Sequence, residues 1–465
     1  MFADTIRIVT GLFPAAVFSG EKGGKSMKKR CCLFAVILLV SILFTGCFSF
    51  DSDDFYALPK LPEEFRGIQD AVKPLLKGGS YSSPVSGNNR QAIQQADLDG
   101  DGRDEVLVFC KVEGDHPLRL LILEGEKDKY TVTCTIESEG SDFNSVEYAQ
   151  IDGEPGLEIL LTLRLGEQLQ QFLKVYTLDE GKPVEMMRSD YSAFTTLDID
   201  SDGKTDVFLV RSNSDGPRGF AELYRYRAGS LVKDTEAGLS MAADAVKRII
   251  TGQVADGAMA VFVASAYDET NLITDVFALS SDHFTNISKN DESGQSAQTV
   301  RNYFVYSADV DGDGIIEMPN TLPLRTIGRD QNSLNQYSIV WYNLNIDGSR
   351  TEKMCTYHNF DEGWFLVLPD AWREGLSVTK VKLGRADTGT RFYLQGEGTR
   401  TVLLTIYAFT GENAAQRSTA DGRSLLAQRG EVWYSILPGE GLDIDLAELQ
   451  SRFSFIAPDL LPNAG

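Results

Sequence analysis

The chain has 465 residues, of which 42% are hydrophobic and 24% charged, with 42 Gly and 15 Pro. This composition excludes collagen-like and disordered chains and, at this length, predicts two or three domains. With 44 Lys and Arg against 67 Asp and Glu, the formal charge is −23, so nucleic-acid binding through a broad basic face is not expected.

Met27-Lys28-Lys29-Arg30 opens a cationic stretch, followed by an apolar run from Cys31 to Phe44 and then Thr45-Gly46-Cys47. A charged n-region, a short h-region and small residues before a cleavage point make a secretory signal. The run is short for a membrane-spanning helix, which needs about 20 apolar residues; an uncleaved N-terminal anchor is the alternative reading. Leu43-Phe44-Thr45-Gly46-Cys47 resembles the lipobox of bacterial lipoproteins at Gly46 and Cys47, with the bulky Phe44 departing from the family's preference. The resemblance implies lipidation at Cys47, anchorage to the bacterial cell membrane and an extracytoplasmic location. Translation is expected to start at Met27. Lys22-Gly23-Gly24 is what a purine-rich ribosome-binding stretch would encode, so residues 1–26 are read as untranslated and 1–46 as the signal region. Losing residues 1–46 removes a net charge of +4 and leaves −27. Residues 47–61 form a polar tether. Of six cysteines, Cys110, Cys134 and Cys355 then remain, an odd set at wide spacing that is neither a disulfide framework nor a zinc site.

Residues 62–77 are predicted as a helix, with Phe65, Ile68, Val72 and Leu76 on one face and Gly78-Gly79 as its stop. An acidic loop then recurs. Asp97-Leu98-Asp99-Gly100-Asp101-Gly102-Arg103-Asp104-Glu105 precedes a β-rich run, and the same grammar returns at Asp198–Asp206 and Asp309–Glu317. Oxygen donors at positions 1, 3, 5 and 9, with Gly at 6, converge as a hard cation requires. Position 12 is Val108, Leu209 or Asn320, which excludes a helix–loop–helix calcium site with its position-12 Glu. Worn copies lie at Gln150–Glu158 and Gly252–Ala260, so position 1 falls at 97, 150, 198, 252 and 309. This spacing marks repeats, each one supersecondary unit. Most units carry a third apolar run, as in Leu118–Leu123 and Ala221–Tyr226, and a fourth strand fits the remaining residues, so that each unit has the four short strands of a β-propeller blade.

The units resemble FG-GAP or VCBS-type repeats, known from integrin α-subunit propellers and bacterial surface proteins. The likeness spans about residues 85–360. It implies a β-propeller of five legible blades, up to seven if eroded units complete it, within residues 62–362. It also implies about three structural calcium sites, held by side chains at 1, 3, 5 and 9 and the carbonyl at 7. The ligands carried over are Asp97, Asp99, Asp101 and Glu105; Asp198, Asp200, Asp202 and Asp206; Asp309, Asp311, Asp313 and Glu317. The copies at 150 and 252 are not expected to bind tightly.

Residues 363–465 lack the repeat and read as a small α+β domain, with strands at 364–368, 391–394, 401–409 and 431–437. A helix is expected to begin at Asp443, with Leu446, Leu449 and Phe453 inward. The 401–409 strand is apolar on both faces and is expected to be central. His116, His283 and His358 are isolated, there is no phosphate-cradling glycine loop, and Gly238–Ala242 is a poor nucleophile elbow. The expectation is a mainly β, non-enzymatic lipoprotein: a calcium-stabilised module that binds an unidentified protein or glycan. The alternatives are a lectin-like binder of cell-wall or host glycans and a polysaccharide-active enzyme.

Overall fold

A computed structural model describes residues 63–457, apart from 127–128, 167–169, 282, 291, 302–304, 328–335, 385–386 and 397–398. The expected signal region, the expected lipidation site Cys47 and the expected tether lie outside the described residues. Helix α1 (Glu63–Leu76) carries the expected apolar face, burying Ile68 and Val72. Among the described residues, no helix is long and apolar enough to cross a membrane.

The rest is built from six antiparallel sheets. The first holds β1 (Ser80–Tyr81), β2 (Ile93–Ala96), β3 (Glu105–Lys111), β4 (Leu118–Glu126) and β5 (Lys129–Ser138), with β1 and β2 both pairing β3. The second is a meander of β6 (Asp142–Ala149), β7 (Glu158–Leu165), β8 (Gln170–Asp179) and β9 (Lys182–Tyr191). The third repeats it with β10 (Ala193–Leu197), β11 (Asp206–Arg211), β12 (Phe220–Arg227) and β13 (Ser230–Gly238). The fourth does so with β14 (Val246–Gln253), β15 (Met259–Ala266), β16 (Leu272–Ser280) and β17 (His283–Asn286). The fifth runs β18 (Met318–Pro323), β19 (Tyr337–Leu344), β20 (Arg350–Asn359), β21 (Trp364–Val367) and the late β27 (Phe453–Phe455).

The sixth sheet has β22 (Leu376–Leu383), β23 (Asp387–Gln395), β24 (Arg400–Phe409), β25 (Ser424–Arg429) and β26 (Val432–Pro438), with β24 central as expected. The boundary set at 362/363 therefore falls inside a continuous hydrogen-bonded sheet, because Trp364 pairs with Asn359. Helix α2 (Asp370–Arg373) leads into this last sheet, helix α3 (Ala414–Ser418) lies against it, and helix α4 (Leu446–Arg452) precedes β27. Two details of the C-terminal helix differ from expectation. Asp445, not Asp443, is its N-cap, accepting the Glu448 N–H at 2.8 Å, while Asp443 takes the indole N–H of Trp372. Leu446 is exposed; only Leu449 and Phe453 turn inward.

The sheets pack face to face in chain order, and alternate side chains of one strand feed two different cores. In β3, Leu107 and Phe109 meet Phe143 and Leu161 of the second sheet, while Val106, Val108 and Cys110 meet α1. Leu160 and Val175 join Val207 and Leu209 of the third sheet; Phe208 and Val210 then join Val261 and Phe277 of the fourth. Phe262 and Val276 meet Met318 and Leu344 of the fifth, and Val340 and Trp364 meet Phe392 and Ile406 of the sixth. Tyr407 and Phe409 on the outer face of the sixth sheet pack with Ala414 of α3. Among the described residues, no hydrophobic cluster joins the first sheet to the last. Strands buried on both faces must be apolar almost throughout, which is why β3, β7, β11 and β15 are largely hydrophobic along their length, whereas β18, partly exposed, is not.

Candidate metal centre

The acidic loops share one construction. The carboxylate at position 9 stands at the start of the following strand, or for Glu317 one residue before it, and accepts the N–H of position 2: Glu105 from Leu98 at 2.8 Å, Asp206 from Ile199 at 3.3 Å, Glu317 from Val310 at 2.9 Å. The carboxylate at position 1 gathers the turn. Asp97 accepts from Gly100 and Gly102, Asp198 from Asp202 and Gly203, and Asp309 from Gly312, Asp313 and Gly314, all between 2.7 and 3.1 Å. Position 6 has φ of +85°, +86° and +87° at Gly102, Gly203 and Gly314, a conformation that strongly favours glycine.

Each loop brings together three of its four expected carboxylates. Ligand oxygens of Asp97, Asp99 and Asp101 lie within 4.8 Å of one another, as do those of Asp198, Asp200 and Asp206, and of Asp309, Asp311 and Glu317. Glu105, Asp202 and Asp313 fall outside these clusters. Asp202 and Asp313 instead accept the N–H of the residue two further on, at 2.9 Å each.

Burial is the main cause of the perturbed acidities. It pushes Asp206 and Glu317 up to about 7 and raises Glu105, with the neighbouring loop carboxylates adding to the effect in each case. One oxygen of Glu317, Oε1, is buried with no hydrogen-bond partner, in a residue with no exposed surface. A buried acceptor left unmatched is costly, and a cation held by Asp309 and Asp311 would match it. The donors are all hard oxygens, which suits calcium better than a soft or imidazole-preferring metal.

Two cationic side chains that local spacing does not mark reach these loops. Arg225 on β12 pairs with Asp200 and sits 3.6 Å from Asp206. Lys353 on β20 bridges Asp311 at 2.9 Å and Asp313 at 2.6 Å, and these carboxylates hold its ammonium above the usual lysine range. Both come from distant strands, so no local spacing could have revealed them. The first loop faces an open cleft of about 820 Å³ that Asp99, Asp101 and Glu105 share with Glu124 and Lys129.

The worn copies also find their places. Gln150–Glu158 occupies the corresponding loop of the second sheet. The other is one residue shorter than expected: Val254 takes the buried position 2, so Gln253, not Gly252, is position 1, while Ala260 keeps the place of position 9, opposite Gly252. The Gln253 carbonyl accepts Ile316 N–H at 2.9 Å, just as that of Asp97 accepts Leu157 N–H and that of Gln150 accepts Thr205 N–H.

His116 and His283 are exposed. His358 lies on β20, stacked 5.0 Å from Phe365, with both ring nitrogens buried and burial pushing its pKa down to about 3. The three described cysteines are free, and burial raises Cys110 and Cys134 to about 11, which makes them poor nucleophiles.

No family model and no curated protein matches the chain. Among solved structures, the rhamnogalacturonan lyase YesW is 11% identical at TM-score 0.29, covering 70% of this chain and 68% of its own. A Bacillus licheniformis rhamnogalacturonan lyase is 11% identical at TM-score 0.27 over 77% of this chain and 72% of its own. An exo-β-1,3-galactanase from Phanerochaete chrysosporium is 10% identical at TM-score 0.25 over 72% and 81%. All three scores lie below the level of a shared fold.

Proposed function

We propose that the protein is a lipid-anchored, extracytoplasmic binding module whose sheets are pinned by about three calcium ions. The carrying observation is the third loop, where Asp309 and Asp311 converge on Glu317 and its orphaned buried oxygen. Asp97, Asp99 and Asp101, and Asp198, Asp200 and Asp206, supply the corresponding donors in the first and third sheets. The position-7 carbonyls of Arg103, Lys204 and Ile315 are the further donors that the FG-GAP resemblance implies.

In this reading the four-stranded units are propeller-type blades. Their shared strand order and sequential packing support it, and the helix over the outer face of the first sheet favours an arc with a covered end over a closed ring. The role of the ions is structural. Each neutralises a cluster of like charges and ties the strands that flank the loop.

The test is calcium titration calorimetry on the full chain, with membrane fractionation of wild type and Cys47→Ala. Binding of about three ions and release of the variant from membranes, or its retention as unprocessed precursor, are expected. No heat at millimolar calcium removes the metal assignment; processed, membrane-bound Cys47→Ala removes the anchor. A glycan array run beside a turnover screen on pectic and galactan substrates decides the ligand class, and metal-dependent turnover would overturn the non-enzymatic reading.

A further inference from the structure

The loop at Gln150–Glu158 keeps acids at positions 3, 5 and 9 in Asp152, Glu154 and Glu158, yet differs from the others at two positions together. Position 1 is Gln150 and position 6 is Pro155. In the complete loops one oxygen of the position-1 carboxylate accepts the position-6 N–H, at 3.0 Å for Gly102, 2.9 Å for Gly203 and 2.9 Å for Gly314. Proline has no N–H to give, so a second acceptor at position 1 would face nothing.

The Gln150 amide fits that change. Its Oε1 still accepts the Gly153 N–H, at 2.6 Å, as Asp97 accepts from Gly100 and Asp309 from Gly312. Its Nε2 instead donates to two backbone carbonyls, Glu154 O and, at 3.0 Å, Gly156 O. Gly156 is position 7, whose carbonyl is a metal ligand in the FG-GAP resemblance. Glu158 retains the bond from Ile151 N–H at 2.6 Å, and its other oxygen accepts from the Thr177 hydroxyl of β8 at 3.2 Å. No acceptor oxygen at positions 1, 7 or 9 needs an ion.

We propose that the Gln150 side-chain amide replaces the cation in this loop, so that the second sheet is closed permanently and without metal. The inference rests on the calcium reading only for its contrast with the complete loops. Its consequence is positional. Leu157 N–H bonds to the Asp97 carbonyl at 3.1 Å, and Thr205 N–H to that of Gln150 at 2.7 Å. The metal-free loop therefore sits as a fixed link between two metal-responsive ones.

The experiment uses the full chain with Gln150→Glu, Gln150→Leu and Gln150→Asp/Pro155→Gly. Melting temperatures are read in chelator and in saturating calcium, and ion stoichiometry is read by calorimetry. Gln150→Glu, which keeps the Gly153 bond but turns an acceptor toward two carbonyls, is expected to lower the melting temperature in chelator. Gln150→Leu is expected to lower it equally in both conditions without changing the stoichiometry. The double variant restores position 1 and the position-6 N–H, and is expected to bind one ion more than wild type. Unchanged melting of Gln150→Glu and Gln150→Leu in chelator, or loss of one bound ion in Gln150→Leu, overturns the proposal. If wild type binds no calcium while both variants still melt early in chelator, the calcium reading falls and the role of Gln150 stands. Should Gln150→Leu not fold, the near-isosteric Gln150→Glu carries the chelator comparison alone.

Discussion

Replacing Glu317 by Gln separates a metal ligand from a structural acceptor, because its two oxygens do different things. Oε2 accepts the Val310 N–H at 2.9 Å, a bond that the amide oxygen of Gln preserves. Oε1 has no hydrogen-bond partner, and Glu317 belongs to the cluster with Asp309 and Asp311, in which one carboxylate oxygen of each residue lies within 4.8 Å of the others. Where Glu317 is ionised, above its raised pKa of about 7, two unit charges at that outer limit repel by about 3 kcal/mol with an effective dielectric of about 20, before salt screening. Gln removes one charge and offers an N–H₂ to the same two aspartates, so the ion-free protein should gain stability. With calcium present the sign reverses. An ion at ten times its dissociation constant contributes about 1.4 kcal/mol by mass action, and under the calcium proposal the variant forfeits most of that at one of the three proposed sites. Thermal unfolding followed by circular dichroism above pH 7, where Glu317 is ionised, in chelator and in excess calcium, should show Glu317→Gln above wild type in the first condition and below it in the second. Equal destabilisation in both would mean that Glu317 acts only through its hydrogen bond, and the metal assignment at this loop would be wrong.

Two further outcomes follow from other parts of the fold. His358 has a folded pKa of about 3 against 6.5 for the free side chain, so between those values the unfolded chain binds more protons and stability falls as pH drops below about 6.5, by up to roughly 1.4 kcal/mol per pH unit. His358→Phe should flatten this acid limb in urea titrations at several pH values; an unchanged slope would show that the imidazole is solvated. Gly100 has φ +74°, and a Cβ there would lie 2.4 Å from Pro155. Gly100→Ala should therefore cost at least about 1–2 kcal/mol and speed amide exchange in residues 97–105 and 150–158 while sparing 309–317, whereas uniform acceleration would show that the loops are not coupled pairwise.

What was legible in the sequence is what the backbone encodes locally. Val106–Phe109, Ile159–Leu161 and Val207–Val210 could be read as strands because each is apolar on both faces. The spacing of Asp97, Asp99 and Asp101 declared a turn wrapped around its own carboxylates, since those hydrogen bonds close within five residues. The position-9 acids were legible as part of the same loop, and the central place of β24 followed from its two apolar faces. The limits of each unit were harder. The phase slipped by one residue at Gln253, because with no acids at positions 1 and 3 only the burial of Val254 fixes the register.

The tertiary structure decided everything that depends on residues distant in the chain. Trp364–Val367 reads as the start of a new domain because the acidic loop no longer recurs, yet its backbone donors and acceptors are used by β20 on one side and β27, some ninety residues later, on the other. Arg225 and Lys353 look like ordinary strand cations until pairing of their strands brings them to the loop carboxylates. Gln150 reads as decay of the calcium pattern, and only the path of the chain shows its amide reaching the carbonyls of Glu154 and Gly156. Periodicity and turn chemistry act over a few residues and survive in the sequence, whereas the partner of a charge or an amide is set by packing between strands, which no local spacing records.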